Sequence, residues 1–257
     1  MHSRTRIGFF VEVLMEKAVF VALDFDNQND VLELLTKLGH PQETYLKIGM
    51  ELYYHYGSEF VKSLVKQGYQ IFLDLKLHDI PNTVYQAARQ IAQLGIFCTT
   101  VHALGGSEMI LAAKKGLIDG TPTGNETPKL LAVTELTSIS EKILANEQNC
   151  SLSMAEQVVS LAQTAKKAGA DGVICSPLEV KNLKAKVGSD FLYVTPGIRL
   201  VDSITDDQIR IATPQKAKKF GSSALVVGRP ITQAEDPALV YREIKKEFEQ
   251  NASRSNY

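Results

Sequence analysis

A chain of 257 residues, 44% hydrophobic and 22% charged, has the size and composition of an ordinary globular protein with a substantial core. A net charge of −1 without any basic block argues against nucleic acid or a membrane surface as a partner. Three scattered cysteines, Cys98, Cys150 and Cys175, form neither a disulfide framework nor a metal-ligand cluster, which points to a reducing, cytoplasmic setting.

Residues 1–14 place Arg4 and Arg6 ahead of the apolar run IGFFVEVL, a superficial likeness to a signal peptide. The run is short, Glu12 interrupts it and no small-residue cleavage site follows, so the segment reads as a disordered or non-native extension ahead of Met15. Apolar, β-branched runs then recur at residues 18–25, 44–50, 70–77, 97–104, 129–136, 171–176, 191–198 and 224–231. Helical periodicity lies between them, clearest at 57–68, 83–95 and 154–169, with Gly68, Gly95 and Gly169 where C-caps belong. Residues 118–128 read as a polar connection. Strict alternation predicts parallel strands with right-handed crossovers, and eight such units in roughly 230 residues match a closed (β/α)8 TIM barrel. No G-x-G-x-x-G follows the first run, which counts against an open doubly wound sheet. The expectation is a single barrel domain over residues 15–250, with 251–257 as a tail.

The third run carries the most chemistry. Side chains alternate across a strand, so Phe72, Asp74, Lys76 and His78 share one face, and Ile71, Leu73, Leu75 and Leu77 the other. Pro81 cannot continue a central strand, which puts Asp74, Lys76 and Asp79 near its carboxyl end, where α/β barrels keep their active sites. A surface salt bridge is the plain alternative, and the apolar flanks count against it. Asp24 closes the first run on the face of Phe20 and Ala22. Lys47 in the second shares its face with Gly49, which leaves space for a ligand. Lys47, Asp74, Lys76 and Asp79 sum to zero charge, as an enclosed array requires. Across the mouth, TPGIR (195–199) and VVGRPI (226–231) end the last two runs. Gly197, Arg199, Gly228 and Arg229 there offer the backbone access and charge of a phosphate site; a surface salt bridge is the plain alternative for Arg229, and its place after the eighth run favours phosphate. His78 reads as a substrate contact or a rim residue, and His102 as a core or rim residue. No histidine pair has metal-ligand spacing, so no metal is expected.

The stretch from Asp74 to Thr83, D-x-K-x-x-D-I-P-x-T, resembles the signature of the orotidine 5′-phosphate decarboxylases. ALDF around Asp24, LKIGMELYY around Lys47, AVTELTS (132–138), VTPGIR (194–199) and VVGRPI (226–231) resemble that family in order and spacing. The likeness covers residues 18–248 and is strongest to the compact bacterial, single-function form. It implies a cofactor-independent carboxy-lyase that converts orotidine 5′-phosphate to UMP, the last step of de novo pyrimidine nucleotide synthesis. By that resemblance Lys76 donates the proton to C6, and Asp74 sits beside the departing carboxylate. Lys47 completes the array near the ribose, and Asp24 binds a ribose hydroxyl. Asp79 reaches into a partner subunit's site, which implies a homodimer. Thr137 resembles the pyrimidine contact, and Thr83 belongs with the ligand contacts. Arg199, Gln208, Gly228 and Arg229 match the phosphate side, and residues 200–210 are polar enough to form a lid. Two rivals share parts of this pattern. A Mg²⁺-dependent decarboxylase of sugar (keto-acid) phosphates has the D-x-K-x-x-D core, but I-P-N-T and T-P-G-I-R favour the nucleotide enzyme. A non-catalytic phosphoribosyl-ligand sensor would not need both Asp74 and Lys76.

Overall fold

The computed structural model describes residues 17–199 and 211–249. The expected extension (1–14), the tail (251–257) and the lid stretch (200–210) with Gln208 lie outside the described residues.

Eight parallel strands close into a barrel in chain order: β1 Val19–Ala22, β2 Tyr45–Gly49, β3 Gln70–Leu77, β4 Cys98–His102, β5 Lys129–Val133, β6 Gly172–Ile174, β7 Leu192–Thr195 and β8 Ala224–Val227, with β8 beside β1. This is the predicted topology, and every strand falls within its predicted run. All but the third run overshoot at their carboxyl ends. In the run at 129–136, for instance, β5 ends at Val133, yet Thr134 and Glu135 stay buried as the loop above the barrel begins.

The helices that cover the barrel are α1 Gln28–Leu38, α2 Met50–Lys66, α3 Pro81–Ala92, α4 Gly106–Gly120, α5 Glu141–Asn146, α6 Met154–Lys167, α7 Val180–Val187, α8 Pro214–Phe220, α9 Arg229–Thr232 and α10 Pro237–Glu249. Pro81 opens α3 at the position where a missing N–H costs nothing. Two helices depart from expectation. The helix read at 57–68 begins at Met50, with a kink where Gly57 adopts φ 67°. The stretch read as a connection from 118 is helical to Gly120. Gly116 and Gly120 do not break α4 because they are its contact with α3. A Cβ at Gly116 would lie 2.4 Å from the Tyr85 carbonyl oxygen, and one at Gly120 would lie 2.3 Å from that of Arg89. Close helix packing here outweighs the cost of about 1 kcal/mol for glycine in a helix.

Alternation along the strands divides the core in two. Val19, Val21, Leu46, Ile48, Ile71 and Leu73 face the helices, while Phe20, Phe72, Cys98, Leu131, Val194 and Val226 fill the barrel. The lower interior is aromatic: the Phe20 ring meets Tyr45 and Phe72 edge-on, each with centroids 5.4 Å apart. Tyr45 in turn meets Phe97 at 5.6 Å. This plug closes the amino-terminal half and leaves the carboxyl ends of the strands for polar groups. Tyr241 of α10 fastens the last helix beneath it, its hydroxyl donating to the Val19 carbonyl at 3.2 Å. Burial pushes that phenol's pKa up.

Candidate active site

The β3–β4 ladder is irregular where the charges lie. Pairing runs through Leu73 and Thr99 and resumes only at Leu77 and Val101, so three residues of β3 stand against Thr100 alone. Lys76 takes up the extra length with φ 50°, a left-handed conformation that costs a non-glycine residue about 1–2 kcal/mol. Its backbone N–H donates to Thr100 Oγ1 at 2.9 Å, and that hydroxyl donates to Asp74 Oδ1 at 2.9 Å. Lys76 Nζ donates to the other oxygen, Asp74 Oδ2, at 2.9 Å. Asp74 is only 9% exposed, and both of its oxygens are engaged, as a buried carboxylate requires.

A second pair stands beside the first. Lys47, also 9% exposed, donates from Nζ to Asp24 Oδ1 at 3.0 Å. A Cβ at Gly49 would approach Lys47 Nζ to 3.3 Å, so glycine keeps this space open. Asp24 is exposed at the mouth and also borders Gly228, whose Cβ would lie 3.6 Å from Asp24 Oδ2. It thus stands between the lysine side and the loop after β8.

A cavity of about 180 Å³ opens here. Lys47, Asp74, Lys76 and Glu135 supply its charged lining, and Phe72, Val133, Ile174 and Val226 of β3, β5, β6 and β8 its apolar lining. Thr137 borders it too. Charged and apolar groups together suit a flat, partly polar ring with an anionic substituent.

The other expected residues are more dispersed. Asp79 is exposed, and its Oδ1 accepts from the Ile80 N–H at 2.6 Å rather than joining Asp74 and Lys76. Thr83 is exposed in the first turn of α3, apart from the cavity lining. Arg199 is buried in the loop after β7, with Nη1 donating to the Ile198 carbonyl at 2.9 Å. Gly228 precedes α9, and Arg229 is exposed as its first residue. His78 stacks on His102 at the rim, with centroids 5.6 Å apart. Burial, then the neighbouring His78 and Lys76, push the His102 pKa down, which favours its neutral form. Cys98 and Cys175 are both buried, with thiol pKa values pushed well up by burial, and Cys175 borders the cavity.

Two polar residues of the site went unnoticed in the sequence. Thr100 lies on the inward face of β4, between Cys98 and His102, a position that alternation alone marks. Glu135, 3% exposed, lines the cavity and accepts from Gln148 Nε2 at 3.3 Å and Gln157 Nε2 at 3.4 Å. An acid directly behind an apolar strand was its only signal.

A model of the orotidine 5′-phosphate decarboxylase / HUMPS family matches residues 17–244. The orotidine 5′-phosphate decarboxylase of Lactobacillus gasseri is 66% identical over 234 residues, which are 91% of this chain and 100% of the relative. The chain belongs to the orotidine 5′-phosphate decarboxylase / HUMPS family. The enzyme of that name from Lactococcus lactis subsp. cremoris strain SK11 is 48% identical over 237 residues, 92% of this chain and 100% of the relative. The crystal structure of orotidine 5′-phosphate decarboxylase from Lactobacillus acidophilus superimposes with a TM-score of 0.84 at 61% identity. It covers 91% of this chain and 99% of its own. The bulged β3, with its aspartate–lysine pair, is therefore set in a barrel shared along nearly its whole length with family members.

Proposed function

We infer that this protein decarboxylates orotidine 5′-phosphate to UMP, the last step of de novo pyrimidine nucleotide synthesis, without a cofactor. The observation that carries this reading is the Asp74–Lys76 pair, 2.9 Å apart at the carboxyl end of β3, in a chain of this family. In the assigned chemistry the C6–carboxylate bond breaks heterolytically and CO2 departs. The electron pair stays on C6, the Lys76 ammonium gives C6 its proton, and the amine recovers one from solvent. Negative charge moves from a carboxylate beside Asp74 to a carbon beside Lys76. The site thus favours the transition state over the substrate, the condition for acceleration.

The remaining roles are proposed from the family resemblance. Lys47 and Asp24 take the ribose, with Asp24 on a hydroxyl, while Thr137 meets the pyrimidine across the cavity. Gly228 and Arg229 take the phosphate together with Arg199 and Gln208, and Thr83 adds a ligand contact. Arg229 is exposed as the first residue of α9, directly after Gly228. A charge-assisted phosphate contact is worth about 1.5–3 kcal/mol, so Arg229→Ala is expected to lower kcat/KM for orotidine 5′-phosphate roughly 10- to 100-fold. Bare orotidine should be affected far less. Equal losses for both compounds would place Arg229 outside the phosphate site.

A homodimer is part of the same reading, with Asp79 supplied to the partner's site. The three cysteines remain unpaired, which accords with a cytoplasmic location. No helix among the described residues is long and apolar enough to cross a membrane. We place the start of the domain near Met15. The family match begins at residue 17, and Lys17 is tied to the barrel by its N–H bond to the Ser223 carbonyl at 2.7 Å. A chain starting at Met15 is expected to equal the full chain in melting temperature and turnover, measured side by side; clear destabilisation would assign residues 1–14 to the fold.

The central test is spectroscopic. Adding the protein to orotidine 5′-phosphate in excess chelator should abolish the orotate chromophore. No loss, or loss only after Mg²⁺ is restored, would overturn this reading and favour a metal-dependent decarboxylase.

A further inference from the structure

Lys76 is held in a backbone conformation that lysine does not prefer, and the groups that hold it come from β4. Two adjacent threonines reach β3, one just before its irregularity and one within it. Thr99 Oγ1 donates to the Leu73 carbonyl at 2.8 Å, before the bulge. Thr100 Oγ1 accepts from the Lys76 N–H and donates to Asp74 Oδ1, both at 2.9 Å, within it. Thr100 is 0% exposed, so water cannot replace either bond.

We propose that Thr100 is a positioning residue for decarboxylation, its one hydroxyl holding the left-handed turn at Lys76 and the rotation of the Asp74 carboxylate together. The proposal rests on the roles assigned above to Asp74 and Lys76. A hydroxyl has one proton and accepting lone pairs, so donation to Asp74 leaves it an acceptor toward the Lys76 N–H. That pattern turns Asp74 Oδ2 toward Lys76 Nζ and fixes where the lysine side chain leaves the strand. Without it, the bulge can relax toward regular extended backbone, and the ammonium leaves its place beside the cavity. Positional errors near 1 Å at a reacting group can cost about 100-fold in rate. Contacts to ribose and phosphate come from other strands, so ligand affinity should be nearly untouched.

The test compares Thr100→Val, which keeps the shape and deletes both bonds, with Thr100→Ser, which keeps the hydroxyl. Thr100→Val is expected to lower kcat about 10- to 100-fold, with KM and the Kd for UMP within about threefold of wild type. Thr100→Ser should recover kcat to within about threefold. If Thr100→Val does not fold, Thr100→Ala is read by the same criteria, and failure of both to fold would make the residue structural and overturn the proposal. So would a folded Thr100→Val with wild-type kcat, a serine variant as impaired as the valine one, or a parallel loss of UMP affinity. Lys76→Ala, assayed beside them, separates two failures. An active Lys76→Ala removes the underlying assignment, whereas an inactive one beside an unaffected Thr100→Val removes this proposal alone.

Discussion

Lys76→Ala is expected to lower kcat at least about 10⁴-fold while the protein stays folded and still binds UMP. Two contributions vanish together. General acid catalysis by a positioned side chain is worth roughly 10²–10⁴ in rate, and a fixed opposite charge at the site of charge development roughly 10²–10³. The structural cost is smaller. Asp74 loses its 2.9 Å partner but keeps the Thr100 hydroxyl, in a pocket whose lysine side chain is 29% exposed. Leaving that carboxylate short of one partner costs about 1–3 kcal/mol, which lowers Tm by only several degrees in a chain of this length. Rapid-quench assays would measure the rate, thermal melting would report the fold, and titration with UMP would report the binding face. Turnover within about tenfold of wild type would remove Lys76 from the role of proton donor.

The barrel was legible because its strands are buried on both faces and therefore read as continuous apolar runs, with a helical period between them. Strand ends were less legible. Thr134 and Glu135 remain buried beyond the end of β5, so burial does not change where the strand stops. The start of α2 was hidden for a different reason: Gly57, with positive φ, divides it, and the apolar face N-terminal to the kink is short. Among the charges, the spacing of Asp74 and Lys76 pointed to their common face. It did not reveal the backbone between them, because lysine is not a residue type that marks a left-handed turn. The partner of Lys47 was equally hidden. Zero net charge allowed an array running from Lys47 to Asp79, whereas the barrel pairs Lys47 with Asp24 across β1 and β2 and leaves Asp79 at the rim. Net charge constrains a site, but strand register decides its pairs. Thr100 was missed because threonine is an ordinary strand residue, and only its two bonds distinguish it.

Activity is expected to return when two inactive variants, Asp79→Ala and Lys76→Ala, are mixed and allowed to exchange subunits. The reasoning starts from where Asp79 stands. It follows β3 by two residues and directly precedes Ile80, to whose N–H its Oδ1 is bonded at 2.6 Å. Pro81 then opens α3, so this corner has little freedom to swing back toward Asp74. A second acid beside Asp74 would also be repelled, whereas a neighbouring subunit offers lysines at its own barrel mouth. The surface around Asp79 suits such a neighbour: Ile80 is 66% exposed and Leu104 42%, large apolar side chains close to a charged rim. In a mixed dimer the chain carrying Asp79→Ala keeps its own Lys76 and receives Asp79 from its partner, so one site is whole. The other site carries both defects. Random pairing of equal amounts makes half the dimers mixed, so recovery should approach about a quarter of wild-type activity per site. Neither variant alone should rise on the same treatment. If exchange is confirmed by mass and no activity returns, Asp79 acts within its own chain or not at all, and the shared site is lost with it.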